Sequence, residues 1–359
     1  MLVNPLFQTE SSASNKASLQ QAVTHHATLG EGLGWHGATE SWWWTDIEAA
    51  TLQAWSPGKP VVTYKLPDRL GSFAHCQSGR ILLGLAKRLC FTSPQKNSVT
   101  GMAAASVNPG SASITSTTNA TNATSATAAV QLPVQSLVAV DPAETRTRVN
   151  DGRTDRRGYF VFGTMNEAAE KRPIASFYQF SMQYGLRRLA LPAVAIANSI
   201  CFSLDGKTMY FTDTLTRRIQ QCDYDAESAK VDNIRLFAIP DDDKAYPDGS
   251  VIDQHGCLWN AEWGAGSVTQ YAPDGRRLQR LSVATKNPTC PAFGGINGDQ
   301  LMVSSARQEM SAEELLRMPG AGSLFLLQMD ESLAVPDTLF DDNDTGAVLQ
   351  PVPKTIKRQ

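Results

Sequence analysis

The sequence contains no unbroken apolar run of 18 residues, so no stretch reads as a membrane-spanning helix. It has no long basic or acidic block. With a formal net charge of -3 and a pI near 6.0, neither nucleic acid nor an anionic membrane is an expected partner. Cysteine is sparse: the six residues (76, 90, 201, 222, 257 and 290) are scattered without a Cys-x-x-Cys pair and read as reduced, mostly buried thiols. The five histidines are not spaced as a metal-binding set. No Gly-x-Ser-x-Gly elbow and no phosphate-binding loop is present. Long amphipathic helices are also missing, and 311-SAEELLRM-318 is at most a short one. The opening MLVNPLFQTESSASNKASLQQ has neither a charged n-region nor an apolar h-region, so a cytoplasmic protein is expected rather than a secreted one.

What the chain does contain is a repeat. A turn rich in Gly, Asp or Ser precedes a short apolar strand six times: GATESWWWTDI (37–47), QSGRILLGLA (77–86), DRRGYFVFGTM (155–165), LDGKTMYFTDT (204–214), DQHGCLWNAEW (253–263) and NGDQLMVSSA (297–306). Aligning Trp43, Leu82, Phe160, Tyr210, Leu258 and Leu301 gives steps of 39, 78, 50, 48 and 43. After each copy comes a polar turn and a second alternating segment, such as SFYQFS or SVTQYAP. Six units with several strands each predict an all-β, six-bladed β-propeller, with an irregular β-sandwich or a double-stranded β-helix as the competing architecture. The propeller is expected over 19–345, with a flexible N-terminus (1–18), a C-terminal tail (346–359), and closure through 22-AVTHHAT-28 against the last blade. The long step comes from 94–131, an Ala/Ser/Thr/Asn-rich stretch with too little apolar surface to offset its ordering entropy. It reads as a surface insertion between the third and fourth strands of blade two.

The repeat also gives phase. If strands A to D run outward from the axis, the D–A connections lie nearest the axis on one face, and the A–B turns on the other. Glu31, Asn150, Asn198 and Asp248 precede their second-strand markers by 12, 10, 12 and 10 residues. Four blades therefore send polar residues into one expected mouth. Asn166, Glu167, Asp213, Trp263 and Arg307 join them from B–C loops, with Trp263 placed to wall a pocket. The same phase separates two identical tripeptides: Pro247-Asp248-Gly249 falls in the mouth, Pro273-Asp274-Gly275 in an outer hairpin on the far face. Glu31, Asn198 and Asp248 offer oxygen alone. That suits one hard divalent cation (Ca²⁺, Mg²⁺ or Mn²⁺, with Zn²⁺ also tolerated) and leaves coordination positions open. Taken singly, each is better explained as a loop residue making local hydrogen bonds; it is the four in phase together that favour a site. Trp42-Trp43-Trp44 reads as packing between blades.

These stretches resemble the regucalcin/gluconolactonase family of metal-dependent lactonases. The matching segments are LGEGLGWHGATESWWWTDI (29–47), TRVNDGRTDRRGYFVFGTM (147–165), ANSICFSLDGKTMYFTDT (197–214), YPDGSVIDQHGCLWNAEWGAGSVTQYAPDGR (246–276) and CPAFGG with SSAR (290–307). The resemblance implies a metal on Glu31, Asn198 and Asp248, Asp248 doubling as general base, and Arg148 with Asn150 holding substrate hydroxyls. Two departures stand out: Gly32-Leu33 where the family usually has Gly-Pro, and Ser199-Ile200 where it commonly has Gly-Leu. The expected activity is hydrolysis of a sugar aldonolactone to the aldonic acid, with Glu167 and Trp263 completing the substrate pocket. A phosphotriesterase or other esterase on the same scaffold, or a non-enzymatic Ca²⁺-binding propeller, are the alternatives. The expected partner is a small sugar lactone, on a monomer or weak homodimer.

Overall fold

The computed structural model describes residues 18–94 and 129–343. Six antiparallel sheets of at least four strands each are arranged in a ring. The innermost strands are Gly30–His36, Leu70–His75, Thr147–Thr154, Ala197–Phe202, Tyr246–Ile252 and Asn287–Gly294. Each recurring apolar segment of the sequence is the second strand of its blade, as in Ser41–Asp46 and Leu258–Trp263. Blade six takes its outer strand from the N-terminal side, where Gln20–Val23 pairs with Leu324–Gln328. This joins the two ends of the ring.

The insertion leaves blade two after Arg88–Thr92 and returns before Gln135–Ala139, its third and fourth strands. On the way back, Val130–Gln131 adds a short parallel fifth strand to blade one. Residues 95–128 lie outside the described residues, as do the N-terminal residues 1–17 and the tail from 344, so the expectations for those segments concern chain that is not described.

The core lies between adjacent blades. Trp42 and Trp44 pack with Leu33, Cys290, Met302 and Leu324 toward blade six. Trp43, on the opposite side of the same strand, packs with Tyr64, Leu83 and Cys90 toward blade two. Strand alternation thus sends consecutive tryptophans into two different interfaces. All six cysteines are free and buried. The helix Ala312–Arg317 is short and starts in a capping box between Ser311 and Glu314. Among the described residues, no helix is long and apolar enough to cross a membrane.

After the last strand, residues 333–342 cross the face that carries the A–B turns. Leu333 and Ala334 bond to the Gly298 carbonyl of blade six, Asp337 pairs with Arg153 at 2.8 Å, and Phe340 pairs with Cys76. Phe340 is fully buried among Phe91, Phe160 and Phe180, so this segment ties blade six to blades two and three.

Candidate active site

Every innermost strand carries a β-bulge: between Glu31 and Gly34, Leu70 and Ser72, Val149 and Gly152, Asn198 and Cys201, Pro247 and Ser250, and Pro288 and Pro291. Each adds one residue to the inner strand, breaks the strict in–out alternation, and re-aims side chains near the start of the strand. Glu31, Asn150, Asn198 and Asp248 all sit at or inside these bulges. They are therefore strand residues, not members of the D–A connections where the phase had placed them. The face is the expected one, but the scaffold is more rigid. The bulges need particular backbones. Gly32 has φ +58° and Ser199 has φ +60°, the latter rare for a residue with a Cβ. A Cβ on Gly71 would run into the carbonyls of Val149 and Asn150 in the next blade.

The cluster is wired as one chain of hydrogen bonds. Arg148 Nη1 donates to Asn150 Oδ1 at 2.8 Å. Asn150 Nδ2 donates to Asn198 Oδ1 at 2.9 Å and to the Ala197 carbonyl at 3.0 Å. Asn198 Nδ2 donates to Thr214 Oγ1 at 2.8 Å, and Thr214 Oγ1 donates to the Pro247 carbonyl at 2.9 Å. One residue further on, Ser199 Oγ donates to the Asp248 carbonyl at 2.5 Å. Buried Asn260 holds the same bulge, with Nδ2 at 3.2 Å from the carbonyls of Asp248 and Gly249 and 2.9 Å from Ser250 Oγ.

Electrostatically the cluster is short of positive charge. Glu31 and Asp248 lie close enough for the charge of Glu31 to bear on Asp248. Burial, and then the neighbouring carboxylates, push both well above the usual carboxylate range, Glu31 to about 8. Asp151 is one of those neighbours and is itself raised by burial. It accepts a 2.8 Å hydrogen bond from the Ile200 amide. Three carboxyl groups pushed upward by burial, with the amide oxygen of Asn198 on the same end of the ring, form a donor set that a divalent cation would neutralise. Among the described residues no three His, Cys, Asp or Glu side chains form a metal site by themselves. The set here differs in taking its third donor, Asn198, from an amide.

Sequence reasoning passed over Asp151 and Thr214, and met Ser199 only as a departure from the family pattern. Asp151 follows Asn150 directly, and under simple alternation two adjacent residues cannot serve one site. The bulge removes that objection. Arg148 is almost fully buried, and its Nε has no hydrogen-bond partner among the described residues, standing 3.6 Å from Glu167 Oε1. Glu167 is clamped by Arg69 through bonds of 2.6 and 3.0 Å. Trp263 is half-buried against Leu29, Ile47 and Ala306 on the same face. Asn166 and Asp213 instead satisfy local backbone groups. Arg307 joins this face through its main-chain amide, which donates to the carbonyls of Ala27 and Thr28. Asp274 lies in the exposed outer hairpin, where it accepts from Arg276 N. His36 stacks on His75 at 3.9 Å, remote from Glu31 and Asp248 along the strands. A cavity of about 540 Å³ lies on the A–B-turn side under residues 332–339. Asp151 and Arg153 line it, but Glu31, Asn198 and Asp248 do not.

Residues 29–307 match the family model described as the SMP-30/gluconolactonase/LRE-like region. The chain belongs to this family. It is 38% identical to an L-arabinolactonase from Azospirillum brasilense over 84% of this chain and 88% of that one. It is 29% identical to regucalcin from Macaca fascicularis, covering 86% and 93% of the two chains. Among solved structures, a regucalcin from Agrobacterium tumefaciens, described as a calcium-binding protein, superposes with a TM-score of 0.73 at 25% identity, over 90% of this chain and 99% of that one. The six-bladed architecture and the family resemblance expected from the sequence both stand.

Proposed function

We propose that this protein hydrolyses a sugar lactone to the corresponding sugar acid, using one divalent cation held by Glu31, Asn198 and Asp248. The observation that carries the reading is that the inner-strand bulges bring Glu31, Asn198 and Asp248 to the same end of the ring, with the Glu31, Asp151 and Asp248 carboxyls all pushed upward by burial, in a chain 38% identical to an L-arabinolactonase. The calcium-binding description of the related regucalcin supports a hard cation without fixing which one. When bound, such a cation supplies Lewis acidity to the lactone carbonyl and to the charge that develops on its oxygen.

The residues of the chain do the rest. Asp248, held by Ser199 and Asn260 through its main chain, takes a proton from the attacking water, a role worth typically about 10²–10⁴ in rate. As the ring C–O bond breaks, that proton passes to the departing alkoxide oxygen. The open Nε of Arg148 is a buried donor available to a substrate oxygen, and Glu167, fixed by Arg69, supplies an acceptor for a hydroxyl. Asn150 has both amide hydrogens engaged within the protein, so its part is to join Arg148 to Asn198 and to offer its oxygen. Trp263 walls the mouth.

Acid release at constant pH from a panel of aldono-1,4- and 1,5-lactones tests the reading. Rapid hydrolysis of at least one sugar lactone is expected, and its identity names the ring size. Absence of turnover on every lactone, with Ca²⁺, Mg²⁺, Mn²⁺ or Zn²⁺ present, would overturn it.

A further inference from the structure

Thr214 lies just past the second strand of blade four, and its hydroxyl stands between the Asn198 side chain and the Pro247 carbonyl. A hydroxyl has one proton to give, and a carbonyl can only accept. The Thr214 proton therefore goes to Pro247, and toward Asn198 the Thr214 oxygen acts as acceptor. It must face the NH₂ of that amide.

The other end of the chain has fixed polarity as well. Arg148 can only donate, so Asn150 turns its Oδ1 toward Arg148 and its Nδ2 toward Ala197 O and Asn198 Oδ1. Every bond from Arg148 to Pro247 thus runs in one direction. Flipping Asn198 would set donor against donor at Asn150 and deprive Pro247 of its proton. Only Oδ1 of an asparagine ligates a cation.

We propose that Thr214 is a positioning residue for the cation site. By engaging Nδ2, it selects the amide orientation of Asn198 that leaves an Oδ1 lone pair for the ion. By bonding to Pro247, it also sets the blade that carries Asp248 against the blade that carries Asn198. The inference rests on the cation reading above. A partner that orients a ligand in this way is typically worth about 10–100-fold in metal affinity.

The test is isothermal titration of Ca²⁺ and Mn²⁺ into the chelator-stripped full-length protein. Thr214→Val keeps the shape and removes the hydroxyl; it should weaken binding about tenfold or more, with Thr214→Ser restoring affinity to within about threefold of wild type. Repeating Thr214→Val in an Asn198→Asp background separates orientation from packing. A carboxylate has no amide flip to select, so the valine should there change affinity less than about twofold. Equal weakening in both backgrounds, or valine binding as tightly as wild type, overturns the proposal. Should the valine chain not fold, Thr214→Ala carries the same expectations. Wild type that binds neither ion would remove the cation reading itself, an outcome distinct from a valine variant that binds normally.

Discussion

Ser199 Oγ donates a 2.5 Å hydrogen bond to the Asp248 carbonyl while Ser199 itself is held at φ +60°, so one residue both bends blade four and positions the next blade's carboxylate. The two effects separate by substitution. Ser199→Ala keeps the left-handed conformation and loses the bond, and should destabilise the fold by about 1–2 kcal/mol. Ser199→Gly relieves the backbone as it loses the bond, and should stay within about 1 kcal/mol of wild type. Urea unfolding measures both. An alanine variant as stable as wild type would show that the bond contributes nothing.

Two Pro-Asp-Gly tripeptides, one in an inner-strand bulge and one in an outer hairpin, give an internal control. Asp248→Asn should leave the melting temperature close to wild type and reduce kcat by about 10² or more. Asp274→Asn, in the exposed outer hairpin, should leave kcat unchanged. Lactone hydrolysis by both variants, alongside circular dichroism, checks the pair. Near-wild-type turnover by Asp248→Asn would remove the general-base role.

Metal-free protein should lose stability as pH rises. Burial and neighbouring carboxylates raise Glu31 from an ordinary 4.5 to about 8 and raise Asp248 as well. Across that window the unfolded chain has released protons that the folded chain still holds. Stability is therefore greatest below the unfolded value and declines up to the folded one. Urea midpoints in chelator at about pH 5 and pH 8.5 read this, and excess divalent cation should flatten the slope by replacing the protons. A midpoint that rises with pH in chelator would contradict the charge arrangement.

Arg148 is buried and contacts Val149 O, Asn150 and Glu167 from a planar, forked head. A lysine offers a point charge without that geometry. Arg148→Lys should cut kcat/KM for a hydroxylated lactone about tenfold or more, and far less for a simple lactone without hydroxyls. Equal losses on both substrates would place Arg148 outside hydroxyl recognition.

Phe340 ties the last part of the described chain to blades two and three from a fully buried position. Phe340→Ala should cost about 3–5 kcal/mol of stability in urea unfolding. A loss under about 1 kcal/mol would mean that this crossing segment is loosely held.

The architecture was legible because a propeller repeats its strongest signal. Each second strand is apolar between turn residues, and Trp43, Leu82, Phe160, Tyr210, Leu258 and Leu301 mark it six times. Closure against the last blade was legible, but its strand is Gln20–Val23 and overlaps the expected 22–28 only at Ala22 and Val23. The crossing of residues 333–342 was not, because its hold comes from one aromatic side chain and scattered backbone bonds. In the site, phase found the blade ends that carry Glu31, Asn198 and Asp248. It could not see the bulges, which depend on how two strands pair. Asp151 was therefore passed over although it adjoins Asn150. Thr214 was passed over because its importance lies in which way its single proton points.

The most direct test of the account is acid release from the best lactone substrate before chelation, after exhaustive chelation, and during stepwise return of Ca²⁺, Mg²⁺, Mn²⁺ or Zn²⁺. The account predicts that chelation abolishes turnover and that one equivalent of a single cation species restores it, with no restoration in Asp248→Asn. Full turnover in the chelated protein would contradict it.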